Sequence, residues 1–507
     1  MQKQFKNLLK GILIYGFGNV SIKLVGLVLL RLYTNTKYLS VEEYGVFTML
    51  EITNLVIVSL SSLALYNAYL RWYWDKEYLD KRKSILFSCY ALLLGVGIMV
   101  SISGYFSSKI ISILLFDKDT YALPITLMII GSSIQILIDL TLSQMRVEEK
   151  PTFYISTNII RLTITLFATV LLLKYAHRGV LGIQEALLIG NIAFMAFTTP
   201  FIIKHIEAKF NLGIIKEMLR FSLPIAIGSI SAVFLAQFDR YVLNFKSTLL
   251  NVGVYTIGFK IANITKIFII SSIQIALTPT YFKLMNHPDH KTIYPRIMTW
   301  LTIVVVFSSL FISLFGLELT KLFSVGTIYW EAYKIIPIIS LGIIFAMLKD
   351  SSVIGIQIAK RTNIIGIVLI GVAALNLGLN LLLIPTFGTI GAATSSLISQ
   401  FIYFIIIYLY SQKYYHIPYR LNRIFIIITA GVILFIVGSV FNDYSLKVRM
   451  LAKFISLLIF PILLFAFRVF DRYEIDAFYS LIASIKNVFN NASPKEIDED
   501  ISKVEDQ

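Results

Sequence analysis

Runs of about twenty apolar residues follow one another along almost the whole chain, separated by short polar stretches. They lie near 11 to 32, 46 to 69, 84 to 106, 121 to 145, 153 to 174, 181 to 203, 222 to 243, 252 to 278, 294 to 315, 334 to 358, 363 to 384, 388 to 410, 424 to 441 and 448 to 470. Each run is apolar on all faces, whereas barrel strands would alternate over about ten residues. The pattern predicts an all-α polytopic membrane protein of about fourteen transmembrane helices. Past Asp471, the residues Ile475, Phe478, Ile482, Ile485 and Phe489 recur at helical spacing, as in an amphipathic helix lying on the membrane surface. The acidic tail after Pro494 has the composition of a disordered segment.

Composition agrees with a lipid-facing surface: 57% of the 507 residues are hydrophobic and 15% are charged. The formal net charge of +16 would suggest nucleic acid if it lay on one soluble face, but the cations gather in alternate loops. One set of loops carries Arg71, Lys76, Lys81, Arg82, Lys83, Arg146, Lys150, Lys204, Lys209, Lys216, Arg220, Lys283, Lys291, Arg296, Lys360, Arg361, Lys413, Arg420 and Arg423. The opposite set holds mainly Lys37, Lys109, Lys118, Lys174, Arg178, Lys246, Lys321, Lys447 and Arg449. The positive-inside rule then places both termini in the cytoplasm, and the charge reflects topology, with no nucleic-acid partner expected. The first apolar run follows Lys3, Lys6 and Lys10 as a signal peptide would, but it is too long and lacks a small-residue cleavage pattern, so a retained helix is expected. Cys89 is the single cysteine, and the five histidines show no metal-ligand spacing.

The chain also resembles itself at an offset of about 209 residues. Arg31, Asn35, Lys37 and then Gly45-Val46-Phe47-Thr48 are echoed by Arg240, Asn244, Lys246 and then Gly253-Val254-Tyr255-Thr256. Leu172, Leu173, Gly179 and Gly182 are echoed by Leu381, Leu382, Gly388 and Gly391. The offset spans an even number of helices, so the halves share one orientation and predict two six-helix lobes related by a pseudo-two-fold axis along the membrane normal. The expected divisions are 1–210 and 211–412 for the lobes, 413–472 for two extra helices, and 473–507 for the amphipathic segment and tail.

Four stretches resemble the polysaccharide transporter branch of the multidrug/oligosaccharidyl-lipid/polysaccharide exporter superfamily. They are LSVEEYG at Leu39 to Gly45, LRFSLPIAIGSISAVFLAQFDRY at Leu219 to Tyr241, GVYTIGFKIA at Gly253 to Ala262, and NLGLNLLLIPTFGTIGAAT at Asn376 to Thr394. The resemblance covers about the first 410 residues. It implies a flippase of undecaprenyl-diphosphate-linked oligosaccharides working by alternating access in surface polysaccharide assembly, for O-antigen or capsule. The partners it implies are that lipid-linked substrate, membrane lipids and other polysaccharide assembly proteins.

Charges within the apolar runs are the candidate functional residues, because a charge at a helix centre costs about 2.5–3.5 kcal/mol on insertion scales and normally faces protein or water. Lys23 and Lys266 are expected near mid-depth, with Arg161 and Lys260 about two turns in from opposite sides. All four are cations suited to a lipid diphosphate in a wet cavity; the plainer reading is that each snorkels or pairs for packing. Glu51 maps onto Lys260 at the repeat offset, so the two are expected to face each other as a gate or ion pair. Asp139 and Asp350, the latter beside Lys349, could couple transport to a proton or sodium gradient or could be purely structural. Asp239-Arg240 reads as part of the repeat architecture. Pro224, Pro279 and Pro337 could mark bends or, for Pro224, a helix start.

No cofactor is expected, and no phosphate-cradling glycine loop offers nucleotide energy. The competing readings are a multidrug or cation antiporter of the related exporter branch, whose substrates would favour acids in the cavity, and a lipid II-type flippase. A membrane-embedded glycan polymerase is the least favoured, because the outer loops are short.

Overall fold

A computed structural model describes Gly26, residues 29–285 and residues 288–469. Lys23, nearly all of the first expected span and the amphipathic segment at 474 to 490 lie outside the described residues. Within them the chain is helical, with no strand. The chain divides into two compact units, Met1–Tyr419 and Arg420–Gln507.

The first unit begins with α1 (Val41–Ser61) and α2 (Leu65–Trp74), then α3 (Arg82–Phe116), α4 (Ala122–Val147), α5 (Pro151–Val170) and α6 (Gly179–His205). The second half of that unit follows as α7 (Leu212–Lys246), α8 (Leu249–Ala262), α9 (Ser271–Leu284), α10 (His290–Leu314), α11 (Gly316–Phe323), α12 (Ile336–Ile358) and α13 (Asn363–Tyr414). The second unit contains α14 (Leu421–Ser439) and α15 (Leu446–Ala466). Among the described residues twelve helical spans are long and apolar enough to cross a membrane. Their outer faces are apolar: on α3, Leu94, Ile98, Ile102, Tyr105 and Phe106 recur every three or four residues and are exposed, as suits contact with acyl chains. The molecule is a multi-pass membrane protein.

Local chemistry explains where these helices start. Ser40 Oγ accepts the Glu43 amide at 3.1 Å while the Glu43 carboxylate accepts the Ser40 amide at 2.8 Å, so LSVEEYG opens with a capping box for α1. In the second half Thr248 Oγ1 accepts the Asn251 amide at 3.2 Å and starts α8. Pro151 sits in the first turn of α5, and Pro337 likewise in α12, where the missing amide costs nothing. Pro224, by contrast, lies inside α7.

Two expected spans are broken. The run at 46 to 69 divides at Leu63 and Ala64, whose φ values of 50° and 49° are left-handed. Ser62 Oγ takes the Ala64 amide at 3.4 Å and binds back to the Ser59 carbonyl at 3.3 Å, competing with the helical ladder. The run at 252 to 278 is interrupted after Ala262 and passes through a π-helical turn, Lys266–Ile270, before α9. The two runs expected at 363 to 384 and 388 to 410 form α13, turned at Gly388 (φ 54°, ψ −127°). Gly179, one repeat earlier, has φ 55°. The echoed glycines thus share a positive φ in the two halves.

Packing ties the first unit together through α7. One core joins Leu65, Tyr69, Cys89, Ile136, Leu140 and Met218, from α2, α3, α4 and α7. Another joins Leu235 of α7 to Ile356, Val372, Tyr403 and Ile407.

Candidate functional site

Helices α1 and α8, equivalent in the repeat, lie side by side. At their starts the approach is close enough that a Cβ on Gly45 would sit 2.3 Å from the Leu249 carbonyl oxygen. The Tyr44 ring stacks edge-on to Tyr329 at 5.5 Å. Nearby, Asn244 Nδ2 donates to the Leu115 carbonyl at 2.7 Å, and the Val325 amide donates to Thr34 Oγ1 at 3.2 Å. All of these contacts join the two halves of the unit at one face.

Ten residues into α1, about 15 Å along the axis, Glu51 accepts a hydrogen bond from Lys260 Nζ of α8 at 2.8 Å. The side chains stay 41% and 29% exposed, so the pair borders open space and is not sealed by packing. Two residues on, Thr53 Oγ1 and Tyr241 OH are hydrogen-bonded at 2.8 Å, again across the halves. Asn54 accepts from Ser132 Oγ at 2.5 Å and anchors α1 to α4 within its own half. α1 therefore carries a polar stripe with one side committed to its own half and the other to the opposite half.

Arg161 is elsewhere. Its guanidinium donates to Gln135 Oε1 at 2.5 Å and Asn191 Oδ1 at 2.6 Å. Gln135 donates in turn to Asp139 Oδ1 at 2.8 Å, and Asn191 to the Gly131 carbonyl at 3.1 Å. The result is a clasp of α4, α5 and α6 with Arg161 and Asp139 joined through an amide. Asp350 forms a third centre: it accepts from Gln274 Nε2 at 2.8 Å and from Lys349. It faces a cavity of about 210 Å³ bounded by α9, α10 and α12 and lined mostly by apolar residues such as Leu277, Leu301 and Met347. Lys266 is exposed at the start of the π turn.

The structure thus brings Glu51 to Lys260 and Asp139 near Arg161, and keeps Asp350 apart from both. Each of these three carboxylates has a cation beside it or one amide away. Charge reading missed the amides: Gln135, Asn191 and Gln274 complete the clusters but carry nothing that stands out in an apolar run. It also passed over Lys453, which falls within the expected run at 448 to 470 and is buried within α15. Asp239 and Arg240 are buried together at 2.9 Å, with Tyr255 OH donating to Asp239 at 2.5 Å and the guanidinium 4.0 Å from the Phe259 ring centre. The pair staples α7 to α8, as an architectural role requires. Among the described residues no group of three or more His, Cys, Asp or Glu is placed to hold a metal ion.

A family model described as polysaccharide biosynthesis protein matches residues 8–285. The chain belongs to that family. No curated protein matches it. Solved structures of similar fold include one of the lipid II flippase MurJ in an inward closed conformation, 15% identical, covering 93% of this chain and 100% of that one with a TM-score of 0.70. An inward-facing multidrug resistance MATE family transporter of the MOP superfamily is 14% identical, covering 79% of this chain and 94% of its own with a TM-score of 0.62. A MOP superfamily transporter from Pyrococcus furiosus, described as having a binding pocket of reverse polarity, is 14% identical over 80% of this chain and 95% of its own, with a TM-score of 0.54. The polysaccharide biosynthesis family member described here therefore has the fold found in transporters of that superfamily.

Proposed function

We propose that this protein is a flippase that moves undecaprenyl-diphosphate-linked oligosaccharide repeat units across a bacterial cytoplasmic membrane by alternating access, for surface polysaccharides such as O-antigen or capsule. It is a transporter and not an enzyme in this reading, with both termini cytoplasmic and two six-helix lobes, 1–210 and 211–412, rocking against each other. The observation that carries it is the Glu51–Lys260 pair, an ion pair between repeat-equivalent helices that remains open to a ligand. A diphosphate entering beside it competes with Glu51 for the Lys260 ammonium, and a strongly charged anion wins that exchange. Lys266, six residues along from Lys260, supplies a second ammonium, and Lys23 a third. Release of Glu51 loosens the contact between halves, so substrate entry and gate opening become one event. Arg161 serves through the clasp that fixes the first lobe's helices. Asp139 and Asp350 are the groups through which a proton or sodium gradient acts on the lobes.

Deleting the gene tests the reading. Lipid-linked repeat units should accumulate on the cytoplasmic leaflet, wild-type protein should clear them, and Lys260→Gln should not. Normal export in the deletion strain would sink the proposal. A lipid II-type flippase is the second reading, favoured by the extent of the fold match to MurJ; it requires the cell-wall precursor to accumulate instead.

A further inference from the structure

The face carrying most of the Lys and Arg holds another cavity, of about 290 Å³, bordered by charged side chains and built wholly within the first half. It lies where α2 ends, α3 begins, and α4 and α6 end, so its walls come from helix termini at the level where lipid headgroups meet water. Tyr73, Arg82, Lys83, Glu148 and His205 line it, with Asp80 in the connecting turn.

The side chains divide into committed and uncommitted charges. Glu148 accepts from Tyr73 OH at 2.8 Å and Gln144 Nε2 at 3.1 Å, and has His205 Nε2 at 3.6 Å and Lys150 Nζ at 3.8 Å. Its charge is already answered. Arg82 is held in place without its charge being met: Nε donates to the Tyr73 carbonyl at 2.6 Å, and the guanidinium lies 4.2 Å from the Tyr73 ring centre and 5.4 Å from that of Trp74. Its terminal nitrogens have no hydrogen-bond partner among the described residues, and neither has the neighbouring Lys83 ammonium.

A guanidinium fixed by its Nε, with both Nη groups unused and an ammonium next to it, is preorganised for the oxygens of a phosphate. Basic pockets between helices on the cytoplasmic side are where anionic lipid headgroups bind. We propose that this cavity binds the phosphodiester of an anionic phospholipid of the inner leaflet, with Arg82 and Lys83 as its ligands. The site rests on the same orientation as the proposed function but not on the translocated substrate.

The test uses purified full-length protein in neutral detergent and a fluorescent phosphatidylglycerol, with phosphatidylcholine and inorganic diphosphate as competitors. Phosphatidylglycerol should bind, phosphatidylcholine should not displace it, and Arg82→Gln with Lys83→Gln should weaken binding about tenfold. Asp80→Asn should tighten it, a gain that general damage to the fold does not produce. Lys83→Gln alone breaks no internal contact, so it keeps the test valid if the double variant fails to fold, and it should weaken binding in the same direction. Unchanged affinity in Lys83→Gln, or an equal loss in the control Lys76→Gln outside the cavity, would reduce the effect to diffuse surface charge and overturn the site. Displacement by diphosphate at lower concentration than by phosphatidylglycerol would overturn the lipid assignment. Lipid binding is read without transport, so failure of saccharide translocation leaves this result standing.

Discussion

Glu51 shows what a single charge can say in a membrane sequence and what it leaves out. A carboxylate in an apolar run announces that something compensates it, because an unmatched charge at mid-helix costs about 3 kcal/mol. The repeat offset named Lys260 as the counterpart, and the two meet at 2.8 Å. Glu51→Lys and Lys260→Glu should each cut translocation by about tenfold or more, equivalent to about 1.4 kcal/mol, and the double swap should recover much of it, as measured by clearance of lipid-linked repeat units. If the double swap is no better than the single variants, the two residues act through separate partners. Arg161 was equally visible, but its partners were not, since Gln135 and Asn191 are amides and geometry alone reveals them. Arg161→Ala strands those two carbonyl oxygens and leaves Asp139 without its nearby cation. A loss of about 1–3 kcal/mol in stability is expected, seen as a lower thermal unfolding temperature in detergent, together with weaker transport.

At the scale of the element, hydrophobic runs reported where helices are but not where they break. The breaks after Ser61 and after Ala262 are invisible to a window of apolar residues, because Leu63 and Ala64 are as apolar as their neighbours and no proline or glycine flags either position. Gly388 is different: the repeat paired it with Gly179, and both need a left-handed φ that a side chain resists. At Gly388 the ψ of −127° also lies where a Cβ is tolerated poorly. Gly388→Ala should therefore destabilise the α13 turn by about 1–3 kcal/mol, read as reduced yield and earlier thermal unfolding. Gly45 constrains the contact between elements: a methyl there meets the Leu249 backbone, which cannot rotate out of the way. Gly45→Ala should push α1 off α8 at the closed face, so an impermeant thiol reagent should label Thr53→Cys faster in the variant than in a Gly45 background; equal rates would mean that this contact does not keep the face shut.

For the whole molecule, the alternation of basic and sparse loops amounts to a testable map. The capped and turned ends of the helices alternate in the same order: after Trp74, Val147 and His205 the chain emerges on the basic face, and after Phe116, Tyr175 and Lys246 on the other. A single overlooked or invented span would put Lys150 and Lys209 on opposite sides. Cysteine scanning reads this directly, because Cys89 is the single cysteine of the sequence and is fully buried, leaving an almost silent background. In intact cells an impermeant maleimide should label Lys118→Cys and Ser247→Cys, and should reach Lys150→Cys and Lys209→Cys only after the membrane is opened. Labelling of Lys209→Cys from outside would reverse the orientation, which would place Arg82 and Lys83 at the outer leaflet and leave the repeat-related pair Glu51 and Lys260 closed toward the cytoplasm. The same data decide two further assignments, because the side on which Gly45 meets Leu249 determines which way this conformation faces and therefore from which leaflet a lipid diphosphate reaches Lys260.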